Sequence, residues 1–216
     1  MSAGELTEKM LRIMHGGNPQ VQIMLDWSNL RYTMTESYPA FCDLVERGIE
    51  WSFGRLAENP KDSSSMSENA LTSMIVAHLR GMAFEVAFDA TVGGHCDLVV
   101  TYGTRYMWLG EAKIYSGYTW LLKGYLQLTT RYARGEEGAD RGGLLIYMKQ
   151  GDLPRTMANW QTAIGTVKSK RNGASISVAA SPSPPAAFAS VQAHYRTGRD
   201  FTVKHLPLSI VWEPEV

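Results

Sequence analysis

"WLGEAKIY", residues 108–115, alternates as a strand does and sets Glu111 and Lys113 on the face that Met107 and Leu109 begin. An acid and a base on an otherwise apolar face ask for a reason. Upstream, "AFEVAFDA" (83–90) and "CDLVVTY" (96–102) are short apolar runs, and "YMWLGEAKI" (106–114) is a third. The separators "TVGGH" and "GTR" are turn-forming, so the three runs read as consecutive strands of a meander.

Working outward, "SSSMSENALTSMIVAHLRG" (63–81) reads as a helix, with Ser65 three residues before Glu68 as a capping box and Gly81 as the stop. After the meander, "YTWLLKGYLQLTTRYAR" (118–134) returns to helical spacing, and "GGLLIYMK" (142–149) is a continuous apolar run suited to a strand buried on both faces. A helix over 155–170, a strand in "ASISVAA" and a hairpin of "ASVQAHYR" and "DFTVKHLPLSIVW" about "TGRD" extend the sheet, and "SPSPPAA" is a loop. The expected fold is α/β with a mixed sheet: helix, three-strand meander, helix, strand, then a C-terminal β-hairpin extension.

Residues 1–60 read as a helical N-terminal segment and 61–216 as the main domain, joined by the polar stretch "ENPKDSSSMSEN". In "YPAFCDLVERGIEWSFGRLAE" (38–58), Phe41, Leu44, Val45, Ile49 and Phe53 form an apolar stripe. It serves either to pack on the main domain or to form a dimer.

Composition narrows the function. The 216 residues are 44% hydrophobic, enough for a sizeable core. Lys and Arg number 21 against 21 Asp and Glu, so no whole-molecule field draws in nucleic acid or an anionic membrane. Any basic surface must be local. Cys42 and Cys96 cannot make a four-thiolate zinc site. With no signal-like or membrane-spanning stretch, a cytoplasmic protein without membrane contact is expected.

Asp97 opens the second strand, and neighbouring strands lie ~4.8 Å apart, so its carboxylate can approach that of Glu111. Two such carboxylates repel, and a divalent cation removes the conflict. Mg²⁺ takes oxygen ligands and keeps sites for water and phosphate; Asp97, Glu111 and the backbone carbonyl of Ala112 make a partial cage, and Mn²⁺ is expected to substitute. Lys113 beside it is placed to hold or help deprotonate an attacking water. On the following helix, Leu121, Tyr125, Leu128 and Tyr132 form the packing stripe, while Lys123, Gln127, Arg131 and Arg134 recur on another side, as a phosphate grip would. Residues 113–149 hold six basic residues against three acidic ones, a local excess of three in a neutral chain.

Each residue also has a plainer reading. Glu68 is equally a first-turn acid on the helix dipole. Glu111 with Lys113 could be a strand-end ion pair, and Gln127 with Arg131 an exposed helix face. Tyr115 and Tyr118 read as core or rim aromatics, and His95 as a turn residue or substrate contact. His78 reads as a satisfied helix residue, and His194 and His205 as surface or packing.

The ordered stretches "SENALTSM", "GGHCDLVV", "LGEAKIY" and "QLTTRY", spanning residues 66–149, resemble the PD-(D/E)xK, or restriction-endonuclease-like, nucleases. Where that family often has Pro before the Asp, this chain has Cys96. The resemblance implies Asp97 and Glu111 as metal ligands, Lys113 as catalytic lysine, Glu68 as an auxiliary acid at the metal, and Gln127 with Arg131 completing the site. It implies a Mg²⁺-dependent endonuclease cutting DNA, as a restriction, anti-phage defence or repair effector. Gating by the N-terminal helices, by a homodimer or higher oligomer, or by a regulatory protein partner is expected. The competing expectation is a catalytically silent scaffold that binds nucleic acid or assembles with a partner.

Overall fold

The computed structural model describes residues 3–32, 37–180 and 186–215. Most of the loop "SPSPPAA" lies outside them. Seven strands form one mixed sheet, and among the described residues no helix is long and apolar enough to cross a membrane.

Helices α1 (Ala3–Met14), α2 (Pro19–Tyr32) and α3 (Tyr38–Ala57) come first, followed by α4 (Pro60–Ser65) and α5 (Glu68–Gly81). The meander is β1 (Glu85–Thr91), β2 (His95–Tyr102) and β3 (Tyr106–Ile114). After it come α6 (Tyr118–Gln127), a π-helical turn (Leu128–Tyr132), β4 (Arg141–Met148) and α7 (Leu153–Gly165). Strands β5 (Ser177–Ala180), β6 (Phe188–Ala193) and β7 (Asp200–Ser209) complete the chain. The sheet runs β1-β2-β3-β4-β7-β6-β5, with β4 parallel to both β3 and β7 and every other pair antiparallel.

Alternation on the central strands divides the core in two. Trp108 and Ala112 of β3, with Leu145 and Tyr147 of β4, face α2, α3 and α5; Leu109, Leu144 and Ile146 face α6 and α7. Phe41, Val45 and Ile49 are fully buried, so the apolar stripe of α3 is spent on the sheet within this chain. A buried acid reinforces the contact. Glu46 accepts hydrogen bonds from Trp108 Nε1 at 3.2 Å and Arg141 Nε at 2.8 Å, and pairs with Lys204 Nζ at 3.3 Å.

Three local expectations are corrected. The stretch 58–69 is not all loop: Pro60 starts α4, where its fixed φ suits a first helical turn, and Ser63 Oγ donates to Leu56 O. Ser65 ends that helix, and the cap of α5 is Ser67, whose Oγ accepts from Ala70 N at 3.2 Å. Glu68 is therefore the first residue of α5, and its carboxylate is free to leave the helix instead of folding back on a cap. The helix expected to run to Arg134 turns π-helical after Gln127, with Ala133 N bonded to Leu128 O. The wider turn ends at Tyr132 and takes Arg134 out of line with Lys123.

Candidate active site at the end of β3

The last paired residues of β2 and β3 are Leu98 and Gly110; beyond them the two strands part while β3 continues beside β4. The backbone N–H groups of β3 on the vacated side need acceptors. Two carboxylates supply them. Asp97 Oδ2 accepts from Ala112 N at 2.8 Å, and Glu68 Oε2, reaching over from α5, accepts from Ile114 N at 2.7 Å.

Lys113 lies between them. Its ammonium donates to Glu111 Oε1 at 2.5 Å and to Ala112 O at 2.9 Å, with Glu68 Oε1 at 3.9 Å. Glu111 and Lys113 are 2% and 6% exposed, which sets this pair apart from a solvent-screened strand-end bridge. Glu111 Oε2 is buried with no hydrogen-bond partner. Burial, and then the charge of Asp97, push the Glu111 carboxyl up to about 7. Burial likewise raises Asp97, against the pull of Ala112 N–H and Lys113, and raises Glu68 against Ile114 N–H and Lys113.

Helix α6 closes over this cluster because it has no side chain at Gly124: a Cβ there would meet Lys113 Cγ at 2.9 Å and Leu144 Cδ1 at 3.1 Å. Gly93, at φ +65°, likewise lets the β1–β2 turn abut the π-helical turn, where a Cβ would fall 2.3 Å from Arg131 O.

Of the residues expected at the site, the structure brings Glu68, Asp97, Glu111, Ala112 and Lys113 together. Gln127 stands one residue removed: its Nε2 donates a long 3.5 Å bond to the Tyr132 hydroxyl. That hydroxyl is raised by burial and then by the charge of Glu111, with Asp97 a smaller contributor. Tyr132 belongs by spacing to the packing stripe, and that membership masks its second contact.

Lys123, Gln127 and Arg131 do share one surface groove, with Thr119, Leu122, Leu126 and Thr130. Arg134 is exposed and follows the π-helical turn outside any helix. The local basic excess is smaller at this face than the count over 113–149 suggested. Arg141 points to the other side of the sheet, held by Glu46 and Asp43, and Lys149 donates to Met66 O at 2.5 Å.

Trp120 was not singled out in the sequence. Its ring centroid lies 5.6 Å from Lys113 Nζ and 4.7 Å from Lys123 Nζ. The available signal was a Trp three residues before a Lys on a helix that already carried a basic side.

The histidines stand apart from the cluster. His95 pairs with Asp89 at 3.0 Å on the surface. His205 is a core residue that accepts Trp160 Nε1–H at Nδ1 and meets Ser190 Oγ through Nε2; burial holds its pKa down to about 3. His194 is buried against Phe201, and His78 packs edge-on to Trp51.

Among the described residues, no three His, Cys, Asp or Glu side chains form a ready cation cage. The chain matches no family model, no curated protein and no solved structure. What the fold and the site define by themselves is a mixed α/β protein with three carboxylates and a lysine gathered at the end of a central strand.

Proposed function

We propose that this protein is a Mg²⁺-dependent phosphodiesterase acting on DNA, with a core of the restriction-endonuclease-like type and its reaction centre at the end of β3. The observation that carries the reading is the buried Glu111 Oε2, left without a hydrogen-bond partner on a carboxyl that feels the charge of Asp97. A carboxylate oxygen in that position costs free energy unless something cationic meets it.

The donor set fits Mg²⁺. Asp97, Glu111 and the Ala112 carbonyl are all hard oxygens from the two parting strands, with Glu68 at the margin. A bound divalent cation supplies charge neutralisation at the phosphate and lowers the pKa of a coordinated water. The rest falls to the chain's own side chains. Lys113 offers its ammonium to an attacking water or to a phosphate oxygen gaining charge. Lys123 and Arg131 hold the flanking phosphates in the groove. Water oxygen bonds to phosphorus, one phosphoester bond breaks, and the departing oxygen leaves as a hydroxyl.

The second reading, a catalytically silent scaffold, also has an observation in its favour. Asp97 and Glu68 already cap backbone N–H groups, and Lys113 already neutralises Glu111, so the cluster can be read as a finished strand-end brace. The two readings separate on purified protein. With DNA and Mg²⁺, the wild type should cut while Glu111→Ala and Lys113→Ala should not, and Mg²⁺ or Mn²⁺ should raise the melting temperature of the wild type but not of Asp97→Asn. Absence of both effects leaves the scaffold.

A further inference from the structure

We infer that Trp120 is a base-stacking platform and that the strand entering this site is unpaired where it passes α6. The inference rests on the proposed reading for its substrate class and adds to it a choice of substrate form.

Of the six tryptophans, Trp27, Trp108 and Trp160 are at most 1% exposed and Trp51 is half-buried, whereas Trp120 is 38% exposed and only Trp212, near the C-terminal end, is more so. It stands on the first turn of α6, within 5.6 Å of the lysine that touches Glu111 and 4.7 Å of Lys123. Its base is rigid. Tyr118 stacks on the buried Trp160 at 6.4 Å with the rings 4° from parallel, and Tyr115 packs against Tyr118 at 5.8 Å. One turn and a half further along, Leu126 is also 38% exposed, in the groove that holds Lys123, Gln127 and Arg131.

Lys123 joins the two places: its ammonium lies over the Trp120 ring, and its side chain lines the groove with Leu126 and Arg131. A paired duplex presents phosphates and sugars outward and keeps its base faces stacked inside, so it matches the cations and leaves the ring and Leu126 facing water or phosphate. An unpaired strand offers both chemistries in each nucleotide, a base face for the ring and a phosphate for the cation. Both ammoniums lie over the indole ring, and a base that stacks there takes the place of the exposed Lys123 ammonium, which turns to the adjoining phosphate.

Binding is measured by fluorescence anisotropy with a labelled oligothymidylate and with a duplex of equal length, in the Glu111→Gln background so that no cutting intervenes. The single strand should bind more tightly and quench tryptophan fluorescence. Trp120→Leu, which keeps an apolar side chain but not the ring, should weaken single-strand binding by about tenfold or more and leave duplex binding nearly unchanged, and Trp120→Tyr should retain most of the affinity. Preference for the duplex, or single-strand affinity indifferent to Trp120→Leu, overturns the inference. Its fate is separable from that of the hydrolase reading. Trp120-dependent strand binding in a protein that never cuts sustains the platform and ends the nuclease, whereas cutting without any Trp120 dependence does the reverse.

Discussion

Asp97 Oδ2 accepts the backbone N–H of Ala112 at 2.8 Å, so a side chain from β2 completes the hydrogen bonding of β3 just past the point where the two strands separate. The same separation brings Glu68 to Ile114 N and leaves Glu111 and Lys113 enclosed beneath α6. Strand divergence, rather than any one residue, creates the cluster. Four predictions follow from its geometry and from the surfaces around it.

The contribution of Glu111 to stability should be lost as pH rises from about 4.5 to about 7. A carboxyl whose pKa is higher in the folded than in the unfolded chain holds its proton more tightly when folded, so its contribution is complete below the unfolded value and lost as pH climbs through the folded one. Glu111, with an ordinary value of 4.5 pushed to about 7, leads the carboxyls, and Asp97 and Glu68 act in the same sense, while the buried His205, held down to about 3, acts in the opposite one. The loss from Glu111 is at most about 3 kcal/mol. Urea denaturation across this window should show the stability of the wild type falling relative to that of Glu111→Gln, a difference from which His205 cancels. A wild-type stability that rises with pH relative to that of Glu111→Gln would contradict the raised Glu111 carboxyl.

Gly124→Ala should separate activity from folding. Alanine favours a helix interior by about 1 kcal/mol over glycine, but here its Cβ would press on Lys113 Cγ at 2.9 Å. Melting temperature should change little while the rate of DNA cleavage drops by about tenfold or more, as sub-ångström misplacement of a reacting group does. Unaltered cleavage would show that the position of Lys113 does not matter.

Glu46→Ala should be among the most destabilising single changes in α3. The substitution removes the buried acid shared by Arg141 and Lys204, leaving them only Asp43 and Glu50, and removes the acceptor of Trp108 Nε1. Loss of one partner from a buried ionic network costs about 3 to 5 kcal/mol. Chemical denaturation should register that loss, and a change below about 1 kcal/mol would mean that apolar packing alone holds α3 to the sheet.

Arg131→Ala and Lys123→Ala should each weaken nucleic-acid binding without favouring any base sequence. Each removed phosphate contact should lower the slope of log affinity against log salt by about 1. Titrations at several salt concentrations measure this directly, and an unchanged slope for either variant would take that residue off the binding face.

The pattern of residues along the chain determined the order of the strands and of the helices α5 to α7 between them, because period-2 and period-3.6 spacing are local properties and each strand of the meander is bounded by its own turn residues. It also determined that Asp97, Glu111 and Lys113 would share a neighbourhood, since consecutive antiparallel strands must be adjacent. Tertiary structure alone decided the rest. Whether Glu68 folded back on its own cap or crossed to Ile114 depended on how α5 met β3, and Ser67 rather than Ser65 took the cap. The π-helical turn that moves Arg134 off the helix answers to packing at Tyr132 and Ala133, which no spacing rule sees. Nor could composition show that Arg141 spends its charge on Glu46 behind the sheet, or that Trp120 stands open beside Lys113. Those outcomes depend on burial and on contacts between residues far apart in sequence, and a linear pattern carries neither.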